Sequence, residues 1–311
     1  MNRENIDVLV IGRSCLDYIA VVNRFPEENQ KAPLEFRLTE GGGQGGTASC
    51  CIARLGGKVA YHGKLGDDDE GRFCLQRLKK FGVSTDFIEI VKDGKTPVAY
   101  LFVTAASGHR TIIYEPNSLP AITIDEQLKT LATQSEIVLL DPEVTYLGAG
   151  LKAAAEGKIK IVYDCERWRR GIEEIMVAAD YFIPSAEFLE SDRLNFGKIS
   201  FRRKVAKLNA MVSGQLIVTR GKKGAYYPVD NKLYQVVTPP VKAVDTVGAG
   251  DNFHAAFALA LKKGLGLHPA VKLAVAVASL SCREFGGRNG IPAMEEAMRV
   301  AKKLKEKVLE P

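Results

Sequence analysis

The sequence predicts an α/β protein with a mostly parallel central sheet. Three observations carry this prediction: apolar runs of strand length alternate with helical periodicity, two segments interrupt the alternation with extended sequence, and a small-residue turn opens a helix in the last third of the chain. The chain has 311 residues, 46% hydrophobic and 26% charged, enough to bury a substantial core. No compositional break divides it, so residues 1–311 read as one domain.

Apolar runs at residues 6–11, 59–65, 98–103, 137–140, 159–163, 181–183 and 216–219 have the length of buried strands. Helical patterns lie between many of them, at 47–55, 70–81, 146–156 and 201–211, the order expected of an open, parallel sheet. Ligands of such sheets belong at the carboxyl ends of the strands. The exceptions are residues 13–39 and 94–115, where Tyr18-Ile19-Ala20-Val21-Val22, Leu34-Glu35-Phe36-Arg37-Leu38 and Thr111-Ile112-Ile113-Tyr114 show little helical periodicity and predict additional β structure. Farther on, residues 253–261 and 270–280 are helical in pattern, and the basic stretch 302–307 is expected as a solvated helix.

Composition excludes several classes. Residues 1–7 are polar and lead straight into an apolar strand, without the basic and apolar regions of a signal peptide. The most apolar helix contains Lys272 and is too short for a membrane span, so a soluble, cytoplasmic protein is expected. Six scattered cysteines form no C-x-x-C pair and no ligand group with the four histidines, which predicts reduced, buried thiols and no zinc site. The net charge of +6 is dispersed, and the runs at 167–170 and 302–307 read as solvated faces rather than nucleic-acid or membrane contacts.

The run Val244-Asp245-Thr246-Val247-Gly248-Ala249-Gly250-Asp251-Asn252-Phe253 carries the chemistry. Gly248, Ala249 and Gly250 precede a helix whose apolar positions recur at Ala256, Phe257, Ala260 and Leu261. The first N–H groups of a helix lack intrahelical partners, so a phosphate can accept from several at once, and Asp251 is placed to take a proton from a nucleophile. Without chemistry, the run would be a tight turn with Asp251 as a cap. An earlier cluster, Gly41, Gly43 and Gly46, followed by Asp67, has the outline of a dinucleotide fingerprint. That alternative leaves Gly248 to Asp251 without a task. No G-x-x-x-x-G-K-[ST] occurs, which excludes a P-loop.

These motifs closely resemble the two signatures of the ribokinase family, also called the phosphofructokinase-B family of sugar kinases. Residues 244–253 resemble its C-terminal signature, and Gly42-Gly43-Gln44-Gly45-Gly46-Thr47 followed by Ala53-Arg54-Leu55-Gly56 resembles the N-terminal one, in the expected order and about 200 residues apart. The resemblance implies a ribokinase-like three-layer α/β/α sandwich in which 13–39 and 94–115 form a small projecting β-sheet lid that covers the sugar and supplies a homodimer contact. It implies ATP as phosphoryl donor with Mg2+, Asp251 as general base, and the N–H groups of Gly248, Ala249 and Gly250 as an anion hole. Sugar contacts are then expected from Asp17, Gly43, Gln44 and Thr47, and from Arg110 in Ser107-Gly108-His109-Arg110-Thr111. The nucleotide is expected against Thr219, Gly221, Lys222 and Gly224, with Ser185 and Asn289; a monovalent cation, K+, would sit among Asp245, Val247, Ser281, Glu284 and Gly286.

Two places depart from the family pattern. Thr47 stands where the family carries a sugar-binding asparagine, and Pro184-Ser185-Ala186-Glu187-Phe188 stands where it carries the N-x-x-E that supports magnesium, leaving Glu187 one position early. These features and Gly286-Gly287-Arg288-Asn289-Gly290-Ile291-Pro292 are similar to ketohexokinase-like and sulfofructose-kinase-like members, which implies a ketohexose or substituted ketohexose phosphorylated on a primary hydroxyl. A nucleoside kinase on the same scaffold and a sugar-sensing pseudokinase remain open alternatives at this point.

Overall fold

The computed structural model describes residues 6–105 and 109–309; the polar start at 1–5 and the Ser107-Gly108 part of the lid motif lie outside the described residues. In chain order the strands are β1 (Ile6–Ile11), β2 (Cys15–Val22), β3 (Leu34–Gly42), β4 (Val59–Gly66), β5 (Ile88–Val91), β6 (Val98–Thr104), β7 (Arg110–Tyr114), β8 (Ser135–Leu140), β9 (Lys160–Cys165), β10 (Tyr181–Pro184), β11 (Gln215–Leu216), β12 (Val218–Thr219), β13 (Ala225–Val229), β14 (Lys232–Val236) and β15 (Glu306–Leu309). The helices are α1 (Gln44–Arg54), α2 (Asp69–Lys80), α3 (Glu126–Gln134), α4 (Gly148–Ala154), α5 (Ile172–Ala178), α6 (Phe201–Asn209), α7 (Ala249–Lys262), α8 (Leu267–Ser281) and α9 (Met294–Ala301).

The central sheet runs β11-β10-β9-β8-β1-β4-β5 and is parallel throughout. Successive side chains of a strand point to opposite faces, and β1 shows both layers. Val8 and Val10 pack with α1, α7 and α8, whereas Leu9 and Ile11 pack with α3 to α6 on the other face. This is a ribokinase-like three-layer sandwich. Helix α7 is apolar almost all round because it lies between the sheet and its neighbours α1 and α8, with Phe253 to Ala260 buried. Side-chain caps start the polar-faced helices: Asp68 accepts from Gly71 N at α2, and Asp125 accepts from Leu128 N at α3.

The strand order reverses at β1, whose neighbours are β8 and β4. Such a switch point opens a crevice beyond the strand ends. Here Gly12 follows β1 so close to Asp141, which follows β8, that a Cβ on Gly12 would fall 2.2 Å from the Asp141 carboxyl, and Arg13 N–H donates to the same carboxylate.

A second, small sheet, β3-β2-β6-β7, is built from the two extended segments expected as a lid; β2 and β6 are parallel and the outer pairs antiparallel. Its inner row, Ile19, Val21, Leu101 and Val103, packs against Val247 and Phe285, so the lid rests on the loops flanking the start of α7. A third sheet, β12-β13-β14-β15, is antiparallel.

Three expectations are corrected. Residues 98–103, read both among the strand-length runs and within the extended segment 94–115, lie in the small sheet as β6 and not in the main one; their burial alternates, with Tyr100 outward, as in a half-covered strand. Residues 216–219 are two short strands, since the chain leaves the parallel sheet at Leu216 and joins the antiparallel one at Val218. Residues 302–307 are not a helix: α9 ends at Ala301, and Glu306 onward pairs with the free edge of β14.

Candidate active site

The start of α7 is shaped by Gly248, which adopts φ +71° as the residue before the first helical turn. A Cβ there would lie 2.6 Å from the Cα of Gly287, so only glycine allows the two loops to touch. Asp245 fixes this arrangement from inside: its buried carboxylate accepts from Val247 N and from Gly286 N, each at 2.9 Å. By contrast, a Cβ on Gly250 would meet nothing within 4 Å. The helix therefore presents an open, N–H-rich end with room for an anion.

Asp251 lies one residue beyond this end. Burial pushes its carboxyl up to about 7, aided by the nearby Asp164 carboxylate, while His254 and Arg110 act in the opposite sense. Such a group is ionised in part at neutral pH and holds a proton well. His254, buried one turn on, sits with Nδ1 2.6 Å from the Gly250 carbonyl and Nε2 3.1 Å from the Ile183 carbonyl of β10; burial favours its neutral form, which donates to one of the two. Arg110 reaches across from β7, its Nη1 donating to Thr246 Oγ1 at 2.9 Å.

Asp17 lies on the inner face of β2, 8% exposed, and accepts from Cys15 Sγ at 3.2 Å. Burial raises its carboxyl to about 6, against the Cys15 hydrogen bond and the positive charges of Arg288 and Arg13. Arg288 is itself 1% exposed. Its Nη2 donates to the Gly42 carbonyl at 2.8 Å, and its Nε points to Thr47 Oγ1 at 3.5 Å.

This arrangement explains the glycine cluster. A Cβ on Gly41 or Gly46 would fall 2.4 Å or 2.6 Å from Arg288 nitrogens, and one on Gly42 would fall 2.1 Å from the Asp17 carboxylate. The glycines form a sleeve for a guanidinium and a carboxylate, which overturns the dinucleotide alternative. Gly43, at φ +80°, lies against the Arg13 carbonyl, and Gln44 Oε1 accepts from Arg13 Nη2 at 3.3 Å. Asp17, Gly43, Gln44 and Thr47 are thus gathered on one wall.

On the other side, Ser185 and Thr219 are paired by a parallel bridge at the ends of β10 and β12. Gly221 and Gly224 both take positive φ, and a Cβ on Gly224 would lie 1.9 Å from the Val236 carbonyl, so the turn is a tight one between strands. Lys222 and Glu187 are exposed and make no side-chain contact with another candidate residue among those described, and Asn289 bonds the Phe285 carbonyl at 2.8 Å. The proposed cation segments do adjoin: Val244 N and Asp245 N donate to the Cys282 carbonyl, beside Ser281, while Glu284 is exposed. Among the described residues no group of three His, Cys, Asp or Glu side chains is arranged to hold a metal.

Arg288 and His254 are the residues that sequence reasoning missed as parts of the site. Arg288 was legible only as one letter of a glycine-rich loop; its partner Gly42 is 246 positions away.

The pfkB family carbohydrate kinase profile matches residues 5–294. A ribokinase from Bacillus subtilis is 29% identical over 297 residues, covering 93% of this chain and 97% of that protein. A ribokinase from Lactococcus lactis is 30% identical over 306 residues, covering 96% and 97%, and a deoxyribokinase from Salmonella typhi is 27% identical over 302 residues, covering 94% and 97%. Among solved structures, ribokinase from Thermotoga maritima superposes with a TM-score of 0.79 at 25% identity, covering 96% of this chain and all of that one. Arabidopsis thaliana ribokinase, complexed with ribose and ATP, gives 0.80 at 24% identity, covering 96% and 99%. With an open helix end beside a proton-holding carboxylate, and a family match across nearly its whole length, this chain belongs to the pfkB family of carbohydrate kinases, enzymes that transfer a phosphoryl group to a sugar hydroxyl.

Proposed function

We propose that this kinase transfers the γ-phosphoryl group of ATP to a primary hydroxyl of a small sugar, a ketohexose or substituted ketohexose, with Asp251 as general base. The observation that carries the reading is the Asp251 carboxyl, held near neutrality directly beside the open end of α7. The hydroxyl proton passes to the Asp251 carboxylate as the sugar oxygen forms its bond to the γ-phosphorus. The bond from that phosphorus to the β–γ bridging oxygen breaks, and ADP leaves with the electron pair. The N–H groups of Gly248 and Gly250, with that of Ala249, which also donates a long bond to the Thr246 carbonyl, face the charge on the moving group, so catalysis is positioning plus electrostatics.

Asp17 accepts sugar hydroxyls, Gly43, Gln44 and Thr47 line the same wall, and Arg110 closes the lid side. Thr219, Gly221, Lys222, Gly224, Ser185 and Asn289 take the nucleotide. Mg2+ would neutralise phosphate charge, and because it binds through one or two carboxylates plus phosphates, the exposed Glu187 beside Ser185 is the carboxylate suited to it. K+ would be held between the loops carrying Asp245, Val247, Ser281, Glu284 and Gly286; since Asp245 already serves two N–H groups, carbonyl oxygens would supply the ligands.

The outer face of the lid, with Tyr18, Tyr100 and Ile113 exposed, favours a homodimer contact there. Six unpaired cysteines favour a reducing compartment such as the cytoplasm. The names of the relatives favour a second acceptor class, the pentoses. ATP consumption across ketohexoses, pentoses, aldoses and nucleosides, with Asp251→Ala alongside, tests the reading. An acceptor-dependent signal lost in the variant supports it; sugar binding without ATP consumption replaces the kinase with a sensor.

A further inference from the structure

A cavity of about 990 Å³ opens at the switch point, between the residues that follow β1, β8 and β9. It adjoins the proposed sugar wall through Arg13, whose backbone carbonyl supports Gly43 and whose Nη2 bonds Gln44. The lid reaches over it too: Tyr114 of β7 accepts at its hydroxyl from Arg167 Nη2 at 3.2 Å. The basic run 167–170, expected as a solvated face, thus lines a cavity, and Arg169 is only 21% exposed at its side chain.

The side chains that line this cavity are richer in cations than in carboxylates. Arg13, Lys64, Arg167, Arg169 and Arg170 line it, against Glu143 and Glu174. Glu143 is shared, 3.0 Å from Arg13 Nη1 and 3.8 Å from Arg169 Nη1. Glu166 adds a contact of 3.3 Å to Arg169, and Lys64 is paired with Glu89. Arg170 has no ion pair among the described residues. Most telling, the Nε–H groups of both Arg13 and Arg169 are buried without an acceptor. Buried donors of charged groups are normally satisfied, so these two guanidiniums keep unused donor capacity beside the cavity, a feature suited to an oxyanion. A neutral sugar offers hydroxyls but no charge to offset these cations.

Resting on the sugar-kinase reading above, we propose that the acceptor carries an oxyanion group, a carboxylate, phosphate or sulfonate, remote from the hydroxyl that is phosphorylated, and that Arg13, Arg167 and Arg169 hold it. The group takes no part in bond making; it orients the sugar so that its free primary hydroxyl faces Asp251.

The test compares matched acceptors with ATP and Mg2+: fructose against fructose 6-phosphate and 6-deoxy-6-sulfofructose, and glucose against gluconate. The expected result is a kcat/KM at least about 100-fold higher for one anionic acceptor than for its neutral partner, a ratio that falls as salt is raised. Arg169→Gln should lower that ratio by about 10-fold or more, acting on KM more than on kcat. The salt dependence of the wild-type ratio reads the same point if the variant does not fold. The identity of the preferred anion separates carboxylate from phosphate and sulfonate. Turnover of neutral sugars with no gain for any anionic partner overturns this inference and leaves the kinase reading intact. Silence with every sugar, charged or neutral, overturns both.

Discussion

Arg110 of β7 and Thr246 of the α7 loop are joined by a hydrogen bond of 2.9 Å, which ties the small sheet to the loop that opens α7. The apolar contacts of Ile19, Val21 and Leu101 with Val247 hold the same two parts together, so the Arg110 bond adds charge and direction to an existing seat. The Arg110 guanidinium also favours the ionised form of Asp251. Arg110→Ala is expected to lower kcat/KM by about 10- to 100-fold, the worth of one charged hydrogen bond. Thr246→Val removes the bond and keeps the charge. Only the Arg110 variant should also move the acid limb of the pH profile upward, because only it withdraws the charge that holds Asp251 down. Equal limbs in both variants would show that Arg110 does not act on the base.

Asp251 makes the sharpest claim about chemistry. In the proposed mechanism its carboxylate acts on the proton, whereas the N–H groups of α7 face the phosphate, so Asp251→Ala should cut kcat by about 10²- to 10⁴-fold. ATP affinity, measured by calorimetry, should change little. A variant that loses ATP binding and keeps its turnover contradicts the assignment.

The pH dependence follows from two raised carboxyls. Asp251 must be ionised to accept a proton, so kcat/KM should be flat above about 7 and fall tenfold per pH unit below it. Below about 6 Asp17 is protonated as well and loses capacity to accept sugar hydroxyls, which steepens the slope toward two. A profile that stays flat down to pH 5 would remove the base role from Asp251.

Much of this was legible in the sequence where the signal was local. The stretch from Gly248 to Asp251 is contiguous, its consequences are set by one turn of helix, and the structure places those residues together. The glycine cluster at 41–46 was visible but ambiguous, because glycines report only that something comes close. What comes close is Arg288 and Asp17, and a contact spanning 246 positions leaves no mark in either segment. Residues 98–103 carried two readings, in the main run of strands and in the segment 94–115, for a related reason: an apolar run shows that a strand is covered, and which sheet covers it is decided by the partner β2. The edge strand β15 was hidden because its lysines suit a solvated helix as well as a sheet edge, and the free side of β14 settled the matter.

Arg288 yields the last prediction, and two substitutions separate its packing from its charge. The guanidinium fills the sleeve lined by Gly41 and Gly46, so Arg288→Ala leaves a cavity and a Gly42 carbonyl held by Ser14 Oγ alone, and should cost about 3–5 kcal/mol in urea unfolding. Arg288→Met restores most of the volume without the charge, and apolar replacements of buried ions are often tolerated. The Met variant should therefore fold, but Asp17 loses the positive charge that favours its ionised form. Its carboxyl then titrates above about 6, and the acceptor KM should begin to rise at a higher pH than in the wild type, with the Asp251-controlled limb of kcat in place. An Arg288→Met enzyme whose acceptor KM follows the wild-type pH curve would confine Arg288 to packing and detach it from the sugar wall.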